Sequence, residues 1–160
     1  MIVHPIPPLY AKNSRILILG SFPSVKSREA NFFYGHPQNR FWKVIARVLN
    51  EKTPESIEEK KTMLLRHNIA LWDVIHSCEI EGSADSTIKN VVPNNIENIL
   101  ENSEITKIYV NGKKSEAMYK KYIEKQTGIK ADVLPSTSPA NAAWNEEKLY
   151  TAWKVITEEI

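Results

Sequence analysis

Arg15-Ile16-Leu17-Ile18-Leu19-Gly20 is the stretch from which the fold is read. Four apolar residues in a row, with no polar alternation, need burial on both faces, and the glycine stops the run. A strand of this kind lies in a parallel sheet with helices on either side. Downstream, Phe41, Ile45, Val48 and Leu49 recur at helical spacing and predict one buried helix face. Thr53-Pro54-Glu55 reads as N-cap, first-turn proline and first-turn acid of a second helix running through Leu64 and Leu65.

Ile69 to Trp72 reads as the next strand. Asn94 and Glu97 have capping-box spacing and open a short helix to about Leu100. Ile105 to Val110 is a strand ending at Asn111-Gly112, Ser115 to Thr127 is helical, and Gly128 stops it. Ala131 to Leu134 is a short strand, and Asn145 caps a last helix through Trp153 and Ile156. Strands alternating with helices predict an α/β fold of three α/β/α layers. Its central sheet is four-stranded and mostly parallel, in one domain spanning 1–160.

Composition bounds the function. The 160 residues are 42% hydrophobic and 25% charged, an ordinary globular balance that excludes wholesale disorder. The single cysteine, Cys78, excludes an internal disulfide framework and a cysteine-based zinc site. No apolar run approaches the ~20 residues of a membrane span. Met1 to Tyr10 is proline-rich without a basic start, unlike a signal peptide, so a cytoplasmic, nucleoid-associated location is expected. Residues 1–50 hold seven basic residues and one acid, a net +6, whereas residues 51–160 hold 14 against 18, a net −4. The basic third points to an anionic partner, or to no more than a solvated basic face.

In parallel sheets, ligands bind beyond the carboxyl ends of the strands. That rule selects Gly20-Ser21-Phe22-Pro23-Ser24, an expected loop from Asp73 to Asn90, Asn111-Gly112-Lys113, and Pro135 to Asn141. The first segment lacks both the phosphate-loop ending and the nucleophile-elbow pattern, but glycine allows close backbone approach and amides offer donors. It also reads as a plain strand-to-loop turn. Asn31 to Trp42 crowds aromatics among amides and turn residues, which suits a planar heterocycle, stacked on a ring and read at its edge. Phe41 and Trp42 read equally as helix core, while Tyr34, beside Gly35, does not. Leu134 to Trp144 carries no acid or base, and its small residues and hydroxyls suit a phosphate backbone. The four histidines show no metal spacing. Asp73 ends a strand and offers a catalytic carboxylate, but Asp85 is twelve residues on and no second carboxylate is expected beside it, so a paired-carboxylate hydrolase stays open with weak support.

Gly-Ser-Phe-Pro-Ser at 20–24, Tyr-Gly-His-Pro-Gln-Asn-Arg-Phe-Trp at 34–42 and Leu-Pro-Ser-Thr-Ser-Pro-Ala-Asn at 134–141 together resemble the uracil-DNA glycosylase superfamily, and in particular its hypoxanthine-DNA (deoxyinosine) glycosylase branch. The mismatch-specific uracil/thymine glycosylases share the His-Pro-x-Asn-Arg-Phe-Trp block. The resemblance implies a monofunctional hydrolase of N-glycosyl bonds that flips hypoxanthine or uracil out of DNA and leaves an abasic site. In the hypoxanthine branch the Asn of the His-Pro-x-Asn-Arg-Phe-Trp block is the critical residue, so the resemblance implies Asn39 as catalytic. Phe22 stands where mismatch-specific enzymes carry a water-positioning Asn, so that function does not carry over. By the same resemblance Gly20, Ser21, Phe22, Tyr34 and Asn111 hold the base, with Tyr34 stacking on it. Ser136, Ser138, Pro139, Ala140 and Asn141 grip DNA, Asn141 filling the gap left by the flipped nucleotide. No metal, no cofactor, no membrane and a monomer are expected, with DNA as partner. Two other readings stay open: a small-molecule hydrolase using Ser21 or Ser138 with a histidine, and a non-catalytic nucleic-acid or nucleotide-binding module.

Overall fold

A computed structural model describes residues 1–160. In chain order the strands are β1 (Ile2–Val3), β2 (Ile16–Gly20), β3 (Ile69–Asp73), β4 (Ile75–Glu79), β5 (Lys89–Pro93), β6 (Lys107–Asn111) and β7 (Asp132–Leu134). The helices are α1 (Val25–Ala30), α2 (Phe41–Val48), α3 (Ile57–Arg66), α4 (Ile96–Glu101), α5 (Lys113–Tyr122), α6 (Glu124–Thr127) and α7 (Glu146–Trp153). Four parallel strands form the central sheet in the order β3-β2-β6-β7. Every residue of β2 is buried, as its unbroken apolar run requires.

Successive side chains of β2 feed two cores. Ile16 and Ile18 pack with Phe41 and Ile45 of α2, Leu64 of α3, and Leu149 and Trp153 of α7. Leu17 and Leu19 pack with Ile96 and Ile99 of α4 and Tyr119 of α5. Helices therefore cover both faces, giving the three α/β/α layers. The parallel strands start and stop within one to two residues of their expected bounds.

A second sheet was not expected. β4 follows β3 after one residue and pairs antiparallel with β1 and β5. The segment from Asp73 to Asn90 is thus half strand, where the sequence reading placed a loop. Two register shifts in the β4–β5 pairing break its apolar alternation, and β5 buries little, so the period-2 signal is weak. The chain turns this corner because the Val74 and Ile75 amides donate to the Gly20 and Ser21 carbonyls.

Three helix starts also differ from expectation. Asn95, not Asn94, caps α4 by accepting from the Asn98 amide. Asn94 is drawn inward instead, where its Nδ2 donates to the carbonyls of Asp73 and Ile75 at the β3–β4 corner. Ser56, not Thr53, caps α3, because Pro54 is buried and the chain stays extended past it. The short α1 had no apolar signal, since Ser27 is its only buried residue; Ser24 caps it. The long helix expected over 115–127 is two pieces, broken at buried Ile123 and stopped by Gly128 at φ +69°.

Candidate active site

A cavity of about 300 Å³ opens beyond the carboxyl ends of the parallel strands. Gly20 of β2, Asp73 of β3 and Asn111 of β6 form its base, and the loop after β7 borders it. Of the residues singled out in the sequence, Gly20, Ser21, Phe22, Tyr34, Asn39, Asn111, Ser136, Ser138, Pro139 and Ala140 all line this one cavity. Asn141 does not. It is half-buried, and its Nδ2 donates to the Ser136 carbonyl within its own loop.

The 20–24 loop is held from behind and open in front. Its Gly20 and Ser21 carbonyls accept from the corner amides, while the Ser21 and Phe22 amides donate to no acceptor of the protein. Phe22 is buried, its ring edge-on to His4 and under the Arg28 guanidinium.

Tyr34 takes the left-handed backbone conformation, φ +54°, an uncommon one for a bulky residue and a site of local strain. One face of its ring lies on Phe41, 4.1 Å between centroids and 15° from parallel. Its hydroxyl is buried without a hydrogen-bond partner. Burial first, and then the charge of Asp73, push the phenol far above its ordinary range, so it stays protonated. Gly35 beside it is fastened by donating its amide to Ser27 Oγ.

Asn39 Oδ1 accepts from the Phe41 amide at the start of α2, 2.9 Å. That bond orients the side-chain amide and leaves Nδ2, which has no protein acceptor, as a donor at the cavity. Asn111 is more committed. Its Oδ1 accepts from the Thr137 amide and its Nδ2 donates to Thr137 Oγ1, tying β6 to the loop after β7.

Four contributors lie outside the site residues expected from the sequence, although the sequence offers Asp73 and Asp85 as carboxylates. Arg40 is the first. Its guanidinium donates to the carbonyls of Thr137, Ser138 (2.7 Å), Asn141 (3.2 Å) and Trp144, so one side chain next to Asn39 fastens most of the 137–144 loop. The quoted Asn-Arg-Phe-Trp block contains it, but nothing local shows where it reaches. His4 and Asp73 are the second and third: His4 Nε2 and Asp73 Oδ2 lie 2.7 Å apart, both side chains almost fully buried. Sixty-nine residues separate them, so no spacing signal exists. Asp85 is the fourth. It lines the same cavity as Asp73, correcting the expectation of an isolated carboxylate, and accepts from Ser21 Oγ at 3.3 Å. Asp85 is exposed at the rim, and partial desolvation there raises its carboxyl above the usual carboxylate range, against the pull of the Ser21 hydrogen bond.

The hydroxyls do not form a nucleophile–imidazole pair. Ser21 Oγ is engaged by Asp85, and Ser138 Oγ accepts from the Ala140 amide. The site presents an aromatic ring, several fixed amide donors and two carboxylates, bordered by an exposed loop tip of small residues. It can hold a flat heteroaromatic group, offer it hydrogen bonds at the edge, and expose one of its bonds to water.

Comparison with known proteins gives a family. The family model of the Uracil DNA glycosylase superfamily matches residues 7–158. The chain is 34% identical over 158 residues to a hypoxanthine DNA glycosylase of Methanosarcina acetivorans, covering 98% of each protein. It is 33% identical over 137 residues to a hypoxanthine DNA glycosylase of Methanosarcina barkeri, covering 84% of this chain and 85% of that one. A solution NMR structure from Methanosarcina acetivorans, of a protein proposed to be a uracil DNA glycosylase, superposes with a TM-score of 0.81 at 31% identity. It covers 99% of this chain and 100% of the other.

Proposed function

The chain belongs to the uracil DNA glycosylase superfamily, and from that premise we propose that it is a DNA repair glycosylase, one unit over 1–160, acting as a monomer on the nucleoid. It draws a deaminated base, hypoxanthine or uracil, out of DNA into the cavity and hydrolyses its N-glycosidic bond. One observation carries this reading. A strained aromatic, Tyr34, and the unspent Nδ2 of Asn39 share one cavity with the free amides of the 20–24 loop.

A base within a duplex is out of reach, so it must leave the stack at a cost of a few kcal/mol, least where pairing is already weak. The Tyr34 ring, backed by Phe41, gives the extruded base a flat surface. As the C1′–N bond breaks, its electron pair goes to the base and positive charge builds on the sugar. Water oxygen then bonds to C1′, and the proton that water loses balances the charge of the departed base. Preformed donors aimed at the base stabilise its developing negative charge without reorganising. Asn39 Nδ2 and the Ser21 and Phe22 amides fill that role. With Phe22 in place of a water-positioning side chain, the site relies on leaving-group stabilisation. Ser136, Ser138, Pro139 and Ala140 face the DNA backbone at the mouth, Asn111 and Arg40 hold their loop in place, and Asn141 enters the vacated stack by giving up its bond to Ser136.

The test is incubation with duplexes carrying one hypoxanthine or one uracil, followed by alkali. Alkali-dependent cutting at the modified position is expected. Uncut strands with both substrates would overturn the proposal and favour a binding module without chemistry.

A further inference from the structure

Asp73 lies at the cavity floor with His4 buried behind it, and the hydrogen bonds of this pair have a readable direction. His4 Nδ1 accepts from the Ile6 amide at 3.2 Å, so the imidazole proton is on Nε2. Nε2–H therefore donates to Asp73 Oδ2. The Asp73 main chain is locked as well, its carbonyl accepting from Asn94 Nδ2. Asp73 Oδ1 makes no hydrogen bond within the protein and lies against Gly20, where a Cβ would stand only 2.4 Å away. Glycine at position 20 is thus what allows the carboxylate to reach the cavity, and Oδ1 enters it as a pure acceptor.

Depth decides what meets this oxygen. The sugar stays with the DNA at the mouth, whereas the Asp73 side chain is 6% exposed at the inner end. The far edge of an inserted base arrives there. Hypoxanthine and uracil carry a ring N–H beside a carbonyl, and their parents adenine and cytosine carry an unprotonated ring nitrogen beside an amino group. A carboxylate oxygen accepts from the first edge and repels the lone pair of the second.

We infer that Asp73, held by His4, is a specificity-determining residue. Its Oδ1 accepts the ring N–H of a lactam base, and so separates deaminated bases from adenine and cytosine. The inference rests on the glycosylase reading above and adds the edge by which the base is recognised. Guanine and thymine also carry a ring N–H, so their exclusion falls to other contacts. A merely structural hydrogen bond between His4 and Asp73 would leave the choice of base untouched.

Single-stranded oligonucleotides, in which pairing plays no part, carry one hypoxanthine, one N1-methylhypoxanthine or one unsubstituted purine, and single-turnover rates are compared. The wild-type protein is expected to cut hypoxanthine about 10–100-fold faster than its N1-methyl form, the usual worth of a hydrogen bond to a charged group. Asp73→Asn is expected to lose a similar factor on hypoxanthine, with little loss on purine, whose N1 bears no proton. Equal wild-type rates on the methylated and unmethylated base, or an equal fractional loss on hypoxanthine and purine in the variant, would overturn the inference. The wild-type arm stands even if Asp73→Asn fails to fold. Thermal-shift titration with free hypoxanthine and free adenine reads the same contact without catalysis, so a failed glycosylase reading is told apart from a failed contact. Preference for hypoxanthine supports the contact, and equal binding of both bases contradicts it.

Discussion

Asn39 and Tyr34 show how much of the chemistry rests on single side chains. The Asn39 amide is split between two tasks: Oδ1 closes the start of α2, and Nδ2 faces the cavity. Asn39→Ala is therefore expected to lower the single-turnover rate by roughly 10²–10³, the worth of one preorganised donor. It also costs about 0.5–1.5 kcal/mol of stability through the lost hydrogen bond from the Phe41 amide, read from urea melts. A variant with a normal rate would remove Asn39 from the mechanism. Tyr34→Ala is expected to weaken binding of the base by about 1–3 kcal/mol. Tyr34→Phe keeps the ring and removes a buried hydroxyl without a partner, so it is expected to bind the base almost normally and melt no lower than wild type. Equal damage from both substitutions would show that the hydroxyl, not the ring face, carries the interaction. Tyr34 stood out in the sequence because Gly35 and Pro37 flank it. Its left-handed backbone and its contact with Phe41 belong to the fold and left no local mark.

The loop from Ser136 to Trp144 is an element shaped from outside itself. Its carbonyls are gathered by Arg40 and its Thr137 by Asn111, so residues on α2's approach and at the end of β6 decide its conformation. Arg40→Ala is expected to weaken DNA binding and to cost about 1.5–3 kcal/mol of stability, since charged donors are withdrawn from several carbonyls. Arg40→Lys is expected to restore little, because an ammonium cannot fork to separated acceptors. Wild-type melting and DNA affinity in Arg40→Lys would refute the clamp. Asn141→Gly is expected to impair activity more on a well-paired uracil duplex than on single strands, where flipping costs little. An equal fractional loss on both substrates would assign Asn141 to the loop, through its bond to Ser136, and not to the DNA stack. The loop's composition was visible in the sequence, since uncharged small residues stand out in so charged a chain. The tertiary bonds that hold it come from about 26 and 100 residues away and were not visible.

At the scale of the molecule, the central sheet was readable because burial on both faces leaves continuous apolar runs such as Ile16–Leu19 and Ile69–Leu71. The second sheet was not, because its strands are short, bulged and half-exposed. It nevertheless matters to the site: β1 leads into His4, which meets Asp73 at the end of β3, and the β3–β4 corner fixes the Asp73 carbonyl. No group of three or more His, Cys, Asp or Glu side chains is placed to hold a metal ion. Full activity in excess chelator is therefore expected, and loss of activity that added divalent metal restores would contradict an all-organic site.

The central claim is that this cavity hydrolyses an N-glycosidic bond in DNA. Mass spectrometry of an oligonucleotide carrying one hypoxanthine, before and after incubation without alkali, tests it most directly. The account predicts free hypoxanthine and an otherwise intact strand with one abasic site. An unchanged oligonucleotide, or a strand already cut at that position, would contradict it.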